Sequence, residues 1–243
     1  MTVLIKVENI EVWGFKHAIR GMRNPMNSWD KSDSHRCEWE FTEECDECGK
    51  LSSDNTGTCI SDIEFYCIGQ KDLELMQKLF KAGTEHRKYL RQIFVSMDIT
   101  APLYWWKEFD TYKVGTVANS CSTMHKIAAK EFTSNDFSHE YIPNDAMEDI
   151  LDCLNDTRDA YLNYDKYLAE GRVDKRYSKK DIWYFMIQFL PSSYNQRRTV
   201  TMNYENVFTI IDQRTGHKLD EWNTFVRVLK TLPYVKDIAG YED

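Results

Sequence analysis

The sequence is poor in residues that break regular structure, with 10 glycines and 5 prolines in 243 residues. This scarcity excludes a collagen-like or low-complexity protein. Basic residues are also in the minority: 31 lysines and arginines face 39 aspartates and glutamates, a formal net charge of −8. This balance speaks against a nucleic-acid coat protein, and we expect no nucleic-acid partner. It leaves room for a local cationic pocket that binds a phosphate.

Long apolar runs are missing too. No window approaches the roughly eighteen consecutive apolar residues that predict a membrane span, so we expect no membrane partner. The stretch Met1–Glu8 reaches charged side chains after only a few apolar ones, which is not typical of a secretory signal. We therefore expect a cytoplasmic chain whose seven cysteines are reduced.

What the sequence does contain is apolar and aromatic mass. Hydrophobic residues make up 42% of the chain and aromatic residues 14%, enough for a sizeable core and too much for an intrinsically disordered protein. Alternation predicts strands over 1–12 and 93–99, and helical periodicity predicts helices over 72–82, 145–168, 181–190, 204–213 and 220–230. The pattern predicts a helix-rich α+β protein in one domain.

Residues 30–68 differ in composition from the rest of the chain, since they hold five of the seven cysteines and little periodic apolar pattern. We interpret them as an insertion in a larger body. Cys45 and Cys48 form a C-x-x-C pair that could seed a zinc site with Cys59 as a further ligand. A second close pair is missing, because Cys59 and Cys67 are eight positions apart. Reduced cysteines on an exposed hairpin are the alternative.

The motifs of several large enzyme classes are absent. The sequence has no H-E-x-x-H, G-x-S-x-G, P-loop or G-x-G-x-x-G pattern, which weakens the zinc-protease, α/β-hydrolase and nucleoside-triphosphatase hypotheses. Cofactor binding in general is not weakened. Single histidines such as His86, His125 and His217 are candidates for structural roles as much as for chemistry.

The central third mixes large rings with polar groups. Residues 105–113 carry tryptophan, tyrosine and lysine, and residues 115–123 are small and polar. Rings that stack, hydroxyls that orient and Lys113 beside a phosphate would suit a planar anionic ligand. An aromatic core strand that leads into a polar loop explains the same residues.

The last third repeats this mixture. Hydroxyls, amides and two arginines occupy 190–198, Asn203 and Glu205 begin the next predicted helix, and Arg214 and His217 end it. Arg214 could bind a phosphate with its planar fork, or it could cap the carbonyls of its own helix.

The motifs between residues 70 and 230, in the order in which they follow one another along the chain, resemble those of the flavin-dependent thymidylate synthases. The strand Phe94–Pro102 and the aromatic segment after it match that family, and Thr111, Tyr112 and Lys113 fall on its signature Arg-His-Arg. Two further series match the family's later motifs: Thr116, Asn119 and Ser122, and then Leu190, Pro191, Asn203, Arg214, His217 and Glu221. The departures are also clear, because both signature arginines are replaced and the family arginine before Leu-Pro is absent.

The resemblance implies a fold and an activity. The fold would be a single thymidylate synthase complementing-type domain over 1–243, with a central mixed or antiparallel sheet and a Cys-rich insertion at about 30–68. The activity would be a pyrimidine deoxynucleotide C5 methyltransferase that converts dUMP to dTMP, with FAD as cofactor and NADPH and methylenetetrahydrofolate as co-substrates. The family forms homotetramers whose active sites lie between subunits.

The resemblance also implies roles for individual residues. Those expected to bind FAD are His86, Thr111, Tyr112, Lys113 and Asn203. Those expected to bind the nucleotide are Glu108, Ser122, Gln188 and Arg214, of which Ser122 and Arg214 are the candidate catalytic residues. Because cationic groups have been lost, phosphate binding is expected to be weaker, or the nucleotide to differ.

Three hypotheses therefore stand side by side. The first is a flavin-dependent nucleotide methyltransferase or a divergent relative. The second is a homologue that binds flavin or nucleotide without the reaction. The third is an assembly protein whose cysteine segment contacts a partner.

Overall fold

A computed structural model of the chain describes residues 5–36 and 66–241. Helices and strands alternate irregularly along it, so the predicted helix-rich α+β class is confirmed. The candidate zinc ligands Cys45, Cys48 and Cys59 lie outside the described residues.

A four-stranded sheet and a short two-stranded ladder account for the named strands. In chain order the described strands are β1 (Lys6–Trp13), β2 (His35–Arg36), β3 (Tyr66–Cys67), β4 (Phe94–Pro102), β5 (Thr116–Ser120) and β6 (Asn195–Asn203). The larger sheet has the order β1-β4-β6-β5, so β4 and β6 are its inner strands. Ser96 faces Thr201 at 3.1 Å, and Thr199 donates to Asp98 at 2.5 Å. This register makes β4 and β6 antiparallel.

Helices occupy most of the remaining described chain. They are α1 (Phe15–Arg23), α2 (Gln70–Lys81), α3 (Leu103–Phe109), α4 (Thr123–Lys126), α5 (Asn144–Leu162), α6 (Tyr164–Ala169), α7 (Lys179–Phe189), α8 (Tyr204–Arg214), α9 (Asp220–Lys230) and α10 (Val235–Ala239). Short 3-10 turns lie at Asn24–Met26, Trp29–Lys31, Lys88–Gln92 and Ser134–Asp136. None of the helices in these ranges is both long and apolar enough to cross a bilayer.

The strand predicted over 93–99 is present as β4. Ile93, Val95, Met97 and Ile99 are all buried, as expected for alternate residues that point to one face of a strand. The strand ends at Pro102, which directly precedes the aromatic helix α3.

The single long helix predicted over 145–168 is wrong in one respect. The chain leaves helical geometry at Asn163, where α5 ends and α6 begins. The Asn163 amide donates to the backbone carbonyl of Asp159 at 3.2 Å and to its carboxylate at 2.7 Å. Asparagine offers the backbone such local alternatives to a continuous helix.

Strand β6 was not predicted, because polar residues hide its period of two. Gln196 is buried and donates to the Cys121 carbonyl at 3.0 Å. Further along, Val200 and Met202 are buried. The inward positions of β6 carry amide and guanidinium groups as well as apolar side chains. Apolar and polar residues therefore do not alternate regularly along this strand.

The chain divides into two compact units, each built from several segments. The first unit comprises Met1–Lys6, Thr100–Thr111 and Asn119–Arg198. The second comprises Val7–Ile99, Tyr112–Ala118 and Thr199–Asp243. The prediction of one domain with an insertion at about 30–68 stays a prediction.

Each unit has its own buried core. In the first unit, apolar residues from α5, α7 and the segment between α4 and α5 form one cluster: Ile127, Phe132, Phe137, Met147, Leu154 and Met186. In the second unit, the largest fully buried side chains include Tyr204 and Phe208 of α8 and Trp222 and Phe225 of α9. Burial raises the pKa of Tyr204 well above its usual range, and its neutral hydroxyl donates to the Pro233 carbonyl at 2.9 Å.

Candidate functional site

The second unit holds a partly exposed arginine on an aromatic support. Arg214 is the last residue of α8. Its guanidinium carbon lies 4.5 Å from the ring centroid of Trp222 and 5.6 Å from that of Tyr112. Cation–π contacts of this kind hold a guanidinium in place while its edge can still make hydrogen bonds.

Tyr112 connects Arg214 to its chain neighbour. The Arg214 Nε–H donates to the Tyr112 hydroxyl oxygen at 2.9 Å. The same hydroxyl donates to Gln213 Oε1 at 3.0 Å. A phenol has one proton and can accept as well, so the two bonds form a directed chain from Arg214 through Tyr112 to Gln213.

His217 lies on another side of Arg214. Its Nε2 is 3.1 Å from Arg214 Nη1, and its Nδ1 is 3.1 Å from the backbone nitrogen of Leu219. A neutral imidazole has one acceptor nitrogen, so His217 can satisfy only one of these two donors at a time. The position of its proton therefore decides whether Arg214 or the backbone is held.

The loop that carries Tyr112 and Lys113 is tied to the start of α8. Asn206 Nδ2 donates to the Val114 carbonyl at 2.7 Å and to Thr116 Oγ1 at 2.8 Å. Gly115 between them has φ +78°, and a Cβ there would lie 2.5 Å from Asn203 Nδ2. This position requires glycine. Lys113 is exposed and Val114 is 90% exposed, so the cation of Lys113 is accessible on an anchored loop.

Asn203 and His86 complete the predicted residues of the second unit. Asn203 is buried, and its Oδ1 accepts the Asn206 N–H at 3.1 Å as the N-cap of α8. His86 is exposed shortly after α2, and within the described residues it makes no hydrogen bond to Tyr112 or Arg214. The second unit thus brings together Tyr112 and Arg214, with Asn203 beside the loop of Lys113.

The first unit holds four further residues of the predicted site. Thr111 Oγ1 donates to the backbone carbonyl of Glu108 at 2.7 Å, just after α3. Ser122 Oγ accepts the His125 N–H at 3.1 Å and caps α4. Gln188 is exposed on α7. Within this unit the hydrogen bonds of Thr111 and Ser122 are thus both local ones.

Sequence reasoning missed two features of these surroundings. Trp222 lies in the helix predicted over 220–230 and was not among the candidate site residues, although it supports Arg214. Arg198 of the first unit was part of a polar run, yet it lies 4.2 Å over the Trp106 ring and donates to Asp110 at 2.7 Å and to Gln196 at 2.9 Å. The spacing of Arg198 from Gln196 within a strand was the signal that could have placed it facing inward.

The chemistry of the second-unit cluster suits a planar anion. It offers a guanidinium on a tryptophan face, an exposed lysine, and amide and hydroxyl groups around them. A metal ion has no comparable set among residues 5–36 and 66–241, where no three histidine, cysteine or carboxylate side chains cluster suitably. The guanidinium, the ammonium and the neighbouring rings fit a ligand that combines a phosphate with a planar ring.

Two solved structures have a similar fold over nearly the whole chain. Both are of the flavin-dependent thymidylate synthase ThyX from Helicobacter pylori with FAD and dUMP. One covers 96% of this chain and 97% of its own at 14% identity, with a TM-score of 0.62. The other covers 97% and 96% at 13% identity, with a TM-score of 0.63. No protein-family model and no curated protein matches the sequence.

At this identity the likeness shows the fold and not the activity. The α+β fold of the chain is that of the flavin-dependent thymidylate synthases, which confirms the fold that the sequence resemblance implied. Function is carried by sites and not by folds, so it has to be argued from the residues of this chain.

Proposed function

We propose that this chain, which has the fold of the flavin-dependent thymidylate synthases, binds FAD and a pyrimidine deoxynucleotide and transfers a one-carbon unit to C5 of the base. The expected reaction converts dUMP to dTMP with methylenetetrahydrofolate and NADPH as co-substrates. A divergent relative could take another pyrimidine nucleotide, because the signature cations differ.

The observation that carries this proposal is the support of Arg214. Its side chain is partly exposed, packs on Trp222 and is oriented by Tyr112. A guanidinium fixed in this way is suited to bind a phosphate or a base carbonyl with two parallel N–H groups. The fold similarity to FAD- and dUMP-bound structures directs the choice of ligand.

The residues of the chain itself would bind the flavin and the nucleotide and orient them. FAD, when bound, supplies hydride transfer from NADPH to the one-carbon unit. Arg214 would hold the nucleotide, and Ser122, Glu108 and Gln188 remain proposed nucleotide contacts. Lys113 would contribute a single positive charge toward a flavin phosphate, with less directional binding than an arginine gives.

Assembly into a homotetramer is part of the same proposal. Helix α7 carries Tyr184, Phe185 and Phe189 at 43–44% exposure, and the rings of Phe185 and Phe189 stack at 5.5 Å. Exposed aromatic groups of this size are typical of surfaces that become buried between subunits.

A binding protein without the reaction is the second candidate. Thr111 and Lys113 replace the two signature arginines, and the Thr111 hydroxyl is bonded to the Glu108 carbonyl. Such a homologue would bind flavin or nucleotide and show no turnover.

One set of measurements tests both candidates. Protein purified without added flavin is examined for flavin absorbance, then titrated with FAD, and its mass is measured by light scattering. We expect a flavin-bound tetramer and NADPH-dependent formation of dTMP from dUMP and methylenetetrahydrofolate. Flavin binding without turnover identifies the binding protein. A monomer that binds no flavin at saturating FAD contradicts the proposed function.

A further inference from the structure

Tyr112 stands where the family resemblance predicts a residue that binds flavin, yet its described contacts point elsewhere. Its hydroxyl accepts from Arg214 Nε at 2.9 Å and donates to Gln213 Oε1 at 3.0 Å. Its ring packs edge-on against Trp222, with centroids 6.1 Å apart. The proton and an acceptor position of the phenol are therefore used within the protein.

The same contacts restrict how Arg214 can move. Nε is bonded to Tyr112, Nη1 is 3.1 Å from His217 Nε2, and the guanidinium plane is supported by Trp222. The hydrogen bond from Nε to Tyr112 contributes most to the orientation of Arg214, because it restricts rotation of the planar guanidinium. An arginine held at Nε presents its terminal nitrogens in one direction.

The position of the phenol is itself determined by the backbone. Tyr112 is two residues before Val114, whose carbonyl is bonded to Asn206 in the first turn of α8. Gln213 and Arg214 are in the last turn of the same helix. The loop is therefore attached near both ends of α8, which leaves the Tyr112 hydroxyl little freedom to leave Arg214.

We propose that Tyr112 is a positioning residue that orients the Arg214 guanidinium for the nucleotide. This inference rests on the proposed function, since it assumes that Arg214 binds the nucleotide. It assigns to this chain a specific use for the tyrosine that replaces the family's central histidine.

The test is a double-mutant cycle with dUMP as the probe, measured by calorimetry on the full chain with FAD. Tyr112→Phe keeps the ring and removes the hydroxyl, and we expect dUMP to bind roughly tenfold more weakly. In the Arg214→Ala background, Tyr112→Phe should have no further effect, because the group that it positions is gone. Tyr112→His has a hydrogen-bond acceptor that Tyr112→Phe lacks, so it should bind dUMP more tightly than Tyr112→Phe does.

Tyr241→Phe is the matched control. The Tyr241 hydroxyl donates to Asp212 of α8 at 2.9 Å. Like Tyr112→Phe, this variant therefore removes one phenol hydroxyl that is bonded to α8. We expect its dUMP affinity to equal that of the unmodified protein. Equal affinities for Tyr112→Phe and the unmodified protein, or the same loss with and without Arg214, would overturn the proposal.

A second cycle needs no nucleotide. The same variants are unfolded with denaturant, and the Tyr112 and Arg214 substitutions should be coupled in the unfolding equilibrium. Additive effects would overturn the positioning contact. Failure of the unmodified protein to bind dUMP would instead contradict the proposed function, and with it the nucleotide step, while the unfolding cycle would still decide whether Tyr112 holds Arg214.

Discussion

Two arginines of the second unit, Arg23 and Arg214, are held in different ways. The Arg23 side chain is 5% exposed, and its Nε pairs with fully buried Asp72 at 2.6 Å. Arg214 is partly exposed at the end of α8 and lies between a phenol, an imidazole and an indole ring. The first arrangement buries its cation, whereas the second leaves its cation partly exposed.

The surroundings of Asp72 explain why the enclosed pair is structural. Asp72 Oδ2 accepts from the hydroxyls of Ser32 and Ser34 at 2.7 Å and from the backbone N–H groups of Asp33 and Ser34 at 3.1 Å. In return, Asp33 accepts the N–H groups of Lys71 and Asp72 in the first turn of α2. Two carboxylates thus connect the segment before β2 to the start of α2. Burial and complete hydrogen bonding make such a pair an anchor.

The largest effect is expected from breaking the enclosed pair. Asp72→Asn leaves the Arg23 charge buried without its carboxylate, which typically costs about 3–5 kcal/mol. Denaturant unfolding should therefore show a large loss of free energy. Asp174→Asn is the matched control, because Asp174 pairs with Arg176, whose side chain is 80% exposed. Exposed ion pairs contribute about 0–1 kcal/mol to the free energy of unfolding. Equal losses in the two variants would refute the assignment of Asp72 as an anchor.

Removing the accessible arginine should affect ligand binding more than stability. Loss of a charge-assisted hydrogen bond costs roughly 1.5–3 kcal/mol, so Arg214→Ala should weaken nucleotide affinity about tenfold or more. Arg227→Ala, which removes an exposed arginine of α9, serves as the control and should bind dUMP normally. If folded Arg214→Ala binds dUMP like the unmodified protein, Arg214 caps its helix instead.

Acid should weaken the enclosed pair selectively. Burial raises the pKa of Asp72, but hydrogen bonds from Ser32, Ser34 and Arg23 and the Arg23 charge outweigh it and lower the pKa below its usual range. A lowered folded-state pKa adds stability above the unfolded value of about 3.9, and that stability is lost as pH falls through the folded value. Unfolding free energies measured from pH 6 down to acid should therefore decline more steeply in the unmodified protein than in Asp72→Asn. Parallel curves would contradict this assignment.

The smallest effect is expected at Lys113. Its exposed ammonium is a point charge that salt screens readily. Lys113→Ala should release flavin a few-fold more readily, the difference shrinking at higher salt, and Lys113→Arg should bind FAD more tightly. Lys81→Ala, at the exposed end of α2, is the control. Flavin dissociation measured across a salt series decides the matter, because no change in either Lys113 variant would remove this loop from the flavin site.

Much of the fold could be predicted because its elements have regular apolar patterns. The buried alternation of β4 and the helix α2, which ends before Gly83 at φ +99°, follow from local sequence. Strand β6 could not be predicted, since Gln196 and Arg198 occupy positions whose partners, Cys121 and Asp110, are far away in the chain. The break at Asn163 depended on one side chain that competes with the helix for backbone groups.

The candidate site was predicted unevenly for a related reason. Arg214 and Tyr112 were both selected, yet their contact joins residues 102 positions apart and no local pattern contains it. Ser122 and Asn203 were also selected, and the structure uses both as helix N-caps. A hydroxyl or amide that could bind a ligand can equally accept a backbone N–H, and sequence does not separate these uses.

By itself the sequence determined the α+β class, the positions of the longer helices, and the presence of an arginine and a lysine among aromatic residues. These properties depend on side-chain periodicity and residue type, which are local. Only the tertiary structure decided that Asp72 encloses Arg23 and that Tyr112, His217 and Trp222 surround Arg214. Which cation is buried and which is partly exposed depends on packing between distant segments, because burial and long-range hydrogen bonds exist only after the chain has folded.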